Sequence, residues 1–407
     1  MKETLRFIHA ADLHLDRPFV GLAQMGREHV EKMKKTAFQA LDRLIDLAID
    51  QKVHFVVIVG DIFDQALPSI YAEVQLKRAL TKLAEHNISV YISFGNHDYE
   101  QTNKMTFDYL ENVHLFDRQQ VTTYTYSSAS GTTVAIQGFS YETRHVKEDF
   151  SSQYSFIDNV DYRVGMLHGS LGVSDDHEPY APFKLETLKQ LGFDYFALGH
   201  IHKRHILSER PPIVYSGNIQ GGSKKESGEK GCYVVELNDL KTTYTFHPLQ
   251  MVKYETETID GSTIDSLDDL WSILESFIDH QAQNGFLSIV IENPSHQLRS
   301  LYHDNDFNDL LTSINDYCQL NDYTVVILDI SLQHKQVTLD QSDPFLRTLA
   351  NKISQSKQKD IAADLFDHHR AKRFLDPLTL EDFSKAKEEA IDYLHYALVG
   401  GQANESK

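Results

Sequence analysis

The sequence predicts an α/β fold: a parallel sheet flanked by helices, a mostly β continuation packed on it, then a small αβ domain and a helical tail. Three observations lead there. Apolar runs alternate with helical-period segments over residues 5–98, shorter strands replace that alternation from about Val121, and the pattern breaks near Met251–Ser262 before an αβαβ run and a helix-rich stretch. Strands separated by helices call for parallel pairing, because each crossover returns the chain to the same edge of the sheet.

Taken in order, residues 5–11, LRFIHAA, form a first buried strand followed by Asp12-Leu13-His14. Asp12 and His14 stand at i and i+2, so an extended chain points both the same way. A helical segment from about Gly21 to Ile49 places Phe38, Leu41, Leu44, Ile45 and Ala48 at helical spacing. The run Val53–Asp64, VHFVVIVGDIFD, is apolar up to Gly60-Asp61 and reads as a strand buried on both faces, with a second carboxylate at Asp64. A helix near Ser69–His86, capped by Ser69, precedes the strand Ile88–Phe94, which ends in Gly95-Asn96-His97-Asp98.

Shorter strands follow at 122–126, 133–139, 162–167, 195–198, 213–216, 232–237 and 242–246. Two of them again end in histidine: Met166-Leu167 leads to His168, and Ala197-Leu198 leads to Gly199-His200-Ile201-His202. After the break come a helix (Ser266–His280), a strand (Phe286–Ile291), a helix (Asp304–Leu320) and a strand (Tyr323–Ile330), then helix to about Leu398.

Strand ends at the carboxyl edge of such a sheet are where ligands bind. The side chains delivered there are Asp12, His14, Asp61, Asn96, His97, His168, His200 and His202. Carboxylate, imidazole and amide donors without thiolate suit Mn²⁺, Fe²⁺ or Zn²⁺, and Mg²⁺ less well. They are too many for one ion but suit two that share a carboxylate, the arrangement that clamps the attacking and leaving oxygens of phosphoryl transfer. Any single histidine among the 21 is an ordinary residue; the set carries the argument.

The motifs DLH, GDIFD, GNHD, H and GHIH, in this order and at strand ends over about residues 5–220, resemble the calcineurin-like metallophosphoesterase superfamily. GDIFD and the extra αβ and helical segments are closer to the SbcD-type nucleases of DNA double-strand-break repair, and among them to the YhaO-like branch. The resemblance implies a four-layer α/β/β/α sandwich over residues 1–255, an αβ cap over 256–340 and a helical region over 341–407 that docks an SbcC-like coiled-coil ATPase. It implies Asp12, His14 and His202 on one ion, Asn96, His168 and His200 on a second, Asp61 bridging, Mn²⁺ as the metal, and His97 assisting the transition state or leaving group. Asp98 would orient that imidazole or its neighbours. It further implies DNA as substrate and pairing into a homodimer. Two positions depart from related patterns: Asp64 stands where some relatives have histidine and reads as a support for the site, and Asp16 adds negative charge where glycine is common.

Arg17, Lys203, Arg204 and Lys224, the last in the loop 221–225, are candidate DNA-phosphate contacts, because Lys and Arg supply sequence-independent affinity. A solvated turn explains them equally well. The net charge of −20 argues against nucleic acid, but 26 Asp/Glu against 12 Lys/Arg lie after residue 255, leaving 33 against 27 before it. Two cysteines give no disulfide framework and fit a reducing compartment. No run approaches the roughly 18 apolar residues of a membrane span, and none suits a signal peptide, so a cytoplasmic protein without membrane contact is expected. The alternatives to a nuclease are a phosphatase or phosphodiesterase of small phosphoesters and a mainly structural subunit that tethers an ATPase to DNA.

Overall fold

The computed structural model describes residues 2–17, 33–103, 110–172, 180–281, 285–302 and 306–333, with isolated positions beyond. It divides into two compact units, the first running to Tyr254 and the second starting at Glu255.

The first unit is built on two six-stranded sheets. The strands are β1 (Leu5–Ala11), β2 (Phe55–Val59), β3 (Ser89–Ser93), β4 (Val113–Leu115), β5 (Thr122–Ser127), β6 (Thr133–Gly138), β7 (Tyr162–His168), β8 (Tyr195–Gly199), β9 (His205–Glu209), β10 (Pro212–Tyr215), β11 (Gly231–Leu237) and β12 (Thr242–Pro248). One sheet has the order β12-β11-β1-β2-β3-β4, the other β5-β6-β7-β8-β10-β9. Strands β1 to β4 are mutually parallel, as are β6, β7, β8 and β10. All five residues of β2, FVVIV, are buried, as a central strand covered on both faces requires.

The helices Thr36–Asp50 and Ile70–Glu85 lay Leu41, Leu44, Leu76 and Leu80 over Val56 and Ile58 on the outer face of the first sheet. On its inner face Phe7, Phe55 and Val57 meet Ile136, Val164 and Met166 of the second sheet. Behind the second sheet, the short helix Leu185–Gln190 and its neighbours pack Leu188 and Phe193 against Phe196 and Leu198. The layers are α/β/β/α, as expected. Ser69 caps its helix, its side chain accepting from the Ala72 N–H. The expected helix from Gly21 is described from Thr36 on; residues 18–32 lie outside the described residues.

The second unit holds a three-stranded sheet in the order β13-β14-β15, from β13 (Lys253–Asp260), β14 (Gly285–Glu292) and β15 (Val325–Gln333). Its helices Leu267–Gln281, His296–Tyr302 and Asp306–Leu320 enclose a core that includes Leu274, Ile289, Ile314 and Ile327. The stretch read as a break, 251–262, instead contains β13. That strand, KYETETID, lies at a sheet edge and buries only Tyr254, so it lacks an apolar face to read. The helical tail expected over 341–407 lies outside the described residues, apart from isolated positions. Cys232 and Cys318 are free and buried. Among the described residues, no helix is long and apolar enough to cross a membrane.

Candidate metal centre

Ala11 pairs with Val59 and Val59 with Ser93, so β1, β2 and β3 end level and release Asp12, Gly60-Asp61 and Gly95-Asn96 at one edge. His168 pairs with Gly199, which brings the ends of β7 and β8 level in the facing sheet. The chain breaks sharply at these points. Asp12, His14, Asp61 and His200 have φ of 51°, 43°, 48° and 97°. Left-handed backbone is unfavourable for residues other than glycine, Asp and Asn least so, and its concentration here marks strain held by the surrounding structure.

Hydrogen bonds supply that hold. Asp12 Oδ1 accepts from the His200 N–H at 2.9 Å, and Asp61 Oδ1 from the His97 N–H at 2.9 Å. Buried Asp98 accepts from the N–H groups of Ile62 and Gly95, each at 2.7 Å, so it ties two loops together through backbone and not through the His97 imidazole. Burial, with the nearby Asp61 charge, pushes the Asp98 carboxyl up to about 7.

Two donor groups share Asp61. The first is Asp12, His14, Asp61 and His202, with one ligand atom of each within 4.8 Å of all the others. The second is Asp61, His168 and His200 on the same measure. Asn96 joins the second, its Oδ1 lying 3.0 Å from His168 Nε2 and 3.1 Å from His200 Nδ1. Gly95 is required here, because a Cβ on it would lie 2.3 Å from Asp61 Oδ1 and 2.7 Å from His168 Nε2.

The donors fit divalent cations. His14 Nδ1 lies 3.0 Å from Asp64 Oδ1 and His202 Nδ1 lies 2.5 Å from Glu226 Oε1. The carboxylate bonded at His202 Nδ1 keeps the proton there and leaves Nε2 as the lone-pair end, whereas His14 Nδ1 has only a close charge contact with Asp64 without hydrogen-bond alignment. The two Nε2 atoms then face each other at 2.9 Å, an arrangement that a shared cation reconciles. His168 is set the same way, its Nδ1–H donating to the Val59 carbonyl at 3.1 Å. Burial opposes ionisation of Asp61, but His168, His97 and His14 around it hold its carboxyl well below the usual range. Burial raises the Asp12 carboxyl and, with the His168 charge, lowers the His200 imidazole to about 3.

The structure thus gathers all eight strand-end side chains in one place. His97 stands beside them with its ring edge-on to His14, centroids 5.1 Å apart, and its Nδ1–H donates to the Asp64 carbonyl at 2.9 Å. Its Nε2 is left for the cleft of about 530 Å³ that it lines with Asp61, Asn96 and His200. Lys203 and Lys225 also line this cleft, and Lys224 is not among its lining residues. The Arg204 guanidinium lies over the Phe246 ring, 3.8 Å from its centroid, and is not among the cleft-lining residues. Arg17 Nη1 is bound to Glu226 Oε1 at 2.6 Å, and Asp16 Oδ2 accepts from the Ser69 N–H at 2.7 Å. Sequence reasoning missed Glu226, Lys230 and Tyr180, which complete the cleft wall. They sit on connecting segments, where no strand-end pattern marks them.

Residues 5–204 match the family model for calcineurin-like phosphoesterases. The chain is 31% identical over 395 residues to the uncharacterized metallophosphoesterase YhaO of Bacillus subtilis, covering 96% of this chain and 97% of that protein. It is 26% identical over 222 residues to the DNA double-strand break repair protein Mre11 of Thermoplasma acidophilum, covering 52% of this chain and 58% of that one. Among solved structures, a dimetal phosphatase from Danio rerio aligns with 62% of this chain and 99% of its own, at 13% identity and a TM-score of 0.38.

Proposed function

The chain belongs to the calcineurin-like phosphoesterase family of metal-dependent hydrolases, and from that premise we propose that it is a two-metal DNA phosphodiesterase of the SbcD type acting in double-strand-break repair. The observation that carries this reading is the convergence of five chain segments from two sheets on Asp61, with a donor set for two cations on either side of it. The similarity to a DNA double-strand break repair protein supports DNA as the substrate.

Asp12, His14 and His202 would hold one ion and Asn96, His168 and His200 the other, with Asp61 between them. When bound, the pair supplies a water of lowered pKa and neutralises charge on the phosphoryl oxygens; the donor set suits Mn²⁺, Fe²⁺ or Zn²⁺, and the family resemblance favours Mn²⁺ among them. The chain does the rest. Glu226 keeps the Nδ1 proton on His202, Asp64 Oδ1 lies 3.0 Å from His14 Nδ1, and the Asp64 carbonyl holds the His97 ring. With Nδ1–H so engaged, His97 turns Nε2 toward the cleft, where it would stabilise the charged transition state or assist the departing sugar oxygen as the P–O bond breaks. Lys203 and Lys225, at the cleft wall, meet flanking phosphates. Residues 341–407, which the sequence pattern reads as helical, would dock an SbcC-like ATPase, and the free buried cysteines fit a cytoplasmic protein.

The test is Mn²⁺-dependent cleavage of linear duplex, single-stranded and hairpin DNA by wild type and by His97→Ala. The variant is expected to lose about 10²–10⁴-fold in rate while keeping its metal. Equal cleavage by both would remove this site from the activity. Rapid turnover of nitrophenyl phosphates with intact DNA would reassign the substrate to small phosphoesters.

A further inference from the structure

One carboxylate outside the donor set is bound on both of its oxygens. Glu226, its side chain 10% exposed, receives four hydrogen bonds in the loop after β10. Oε1 takes His202 Nδ1 at 2.5 Å and Arg17 Nη1 at 2.6 Å; Oε2 takes the Gly222 N–H at 2.6 Å and Asn218 Nδ2 at 3.2 Å. Arginine, a backbone N–H and an amide NH₂ can only donate, so the carboxylate is ionised and the fourth partner, His202 Nδ1, donates as well.

The surroundings are built to keep it there. Arg17 reaches Glu226 past Gly222, where a Cβ would lie 2.9 Å from Arg17 Cδ and 3.0 Å from its Cζ. The backbone of His202 is fixed independently: Lys230 Nζ donates to its carbonyl at 2.9 Å. Ring and main chain of this one histidine are therefore pinned from separate directions, which leaves its Nε2 no choice but to face Asp12, His14 and Asp61. The loop 221–225 is thereby turned to a different use from holding a phosphate, because the Gly222 N–H is spent on Glu226.

We infer that Glu226, clamped by Arg17, is a positioning residue of the metal centre: it fixes the tautomer and the aim of His202 and so sets the affinity for one ion of the pair. This rests on the two-metal reading above and assigns Arg17 a part in the centre instead of a contact with DNA. A carboxylate behind a metal-binding histidine raises the basicity of the ring and removes the cost of orienting it, and its loss weakens metal binding about 10–100-fold.

Calorimetric titration of Mn²⁺ into the metal-free full chain tests the inference. Wild type takes up two ions; Glu226→Ala weakens one of them about 10–100-fold and leaves the other within about threefold, and Arg17→Met weakens the same ion by a smaller factor. Unchanged affinity for both ions in Glu226→Ala overturns the inference and leaves the two-metal reading standing. A wild-type chain that takes up no Mn²⁺ overturns both. A merely structural Glu226 would lower the melting temperature without changing the His202 ring. The imidazole ¹⁵N shifts of His202 in the metal-free chain, assigned with His202→Gln, therefore serve as a second readout. A single Nδ1–H tautomer in wild type that becomes mixed in Glu226→Gln supports the assignment, and identical shifts in the two overturn it. Glu226→Gln, equal in volume, also carries the titration if Glu226→Ala does not fold.

Discussion

His9 shows what a single residue in this fold obliges the rest to do. It is fully buried, with Nε2 3.2 Å from the Leu198 carbonyl and Nδ1 3.0 Å from the Tyr195 hydroxyl. A carbonyl only accepts, so Nε2 carries the proton and the tyrosine donates to Nδ1. Burial pushes the imidazole down to about 3. The ordinary value applies in the unfolded chain, so between about pH 6.5 and 3 the unfolded state binds more protons and stability falls as pH falls. The loss is about 2 kcal/mol by pH 5 from this residue. Urea midpoints at pH 7 and pH 5 should diverge by that share less in His9→Gln, which keeps a donor for Leu198. Gly95 gives a sharper case. Gly95→Ala drives a methyl into Asp61 and His168, so metal uptake and activity should fall by at least about tenfold while circular dichroism still reports a folded chain. Residues of the first kind are invisible in the sequence, since His9 sits in an apolar run like any core position. The seven donors and His97 were legible because each lies at or just beyond the end of a strand. Glu226 was not, because GGSKKESGEK spells only an exposed, charged turn, and its partner Arg17 lies 209 residues away.

Among whole elements, legibility followed an apolar or alternating pattern. Strand β2 is buried at every residue and was readable end to end, as was the helix Ile70–Glu85 with its Ser69 cap. Strand β9, HILSE, is exposed or half-buried throughout, and β13 is an edge strand; neither carries the one-sided pattern that periodicity detects. The capped helix invites a test at its own scale. Ser69 Oγ accepts from the Ala72 N–H at 3.1 Å, while the Ser69 N–H is separately taken by Asp16 Oδ2. Ser69→Ala removes only the first, so it should cost about 1 kcal/mol and lower the melting temperature by a few degrees, with phosphoesterase activity intact. A variant that loses activity in proportion would instead show that the start of this helix feeds the site through Asp16, whose neighbour Arg17 reaches Glu226.

On the scale of the molecule, the centre is the place where the two sheets are joined at their carboxyl edges. Asp12, Asp61 and Asn96 leave the first sheet; His168, His200 and His202 leave the second. Two buried carboxylates, Asp12 and Asp61, share this place, and the Asp61 charge adds to burial in raising the cost of ionising Asp12. Cations bound between them would stabilise the folded form by mass action, about 2.7 kcal/mol per ion at a hundredfold excess over its dissociation constant. For a unit of this size that is a rise of roughly 5–10 °C in melting temperature for each ion, reversed by a chelator. Asp61→Asn separates this linkage from plain packing. Asparagine keeps the shape but removes the charge that His168, His97 and His14 stabilise, so at neutral pH the metal-free variant should melt below metal-free wild type. Because the lost oxygen anion was common to both groups, Mn²⁺ should then raise its melting temperature by only a fraction of the wild-type shift. A variant that still gains the full increment from Mn²⁺ would mean that the ions bind without Asp61 and that its part in the centre is confined to holding the loops together.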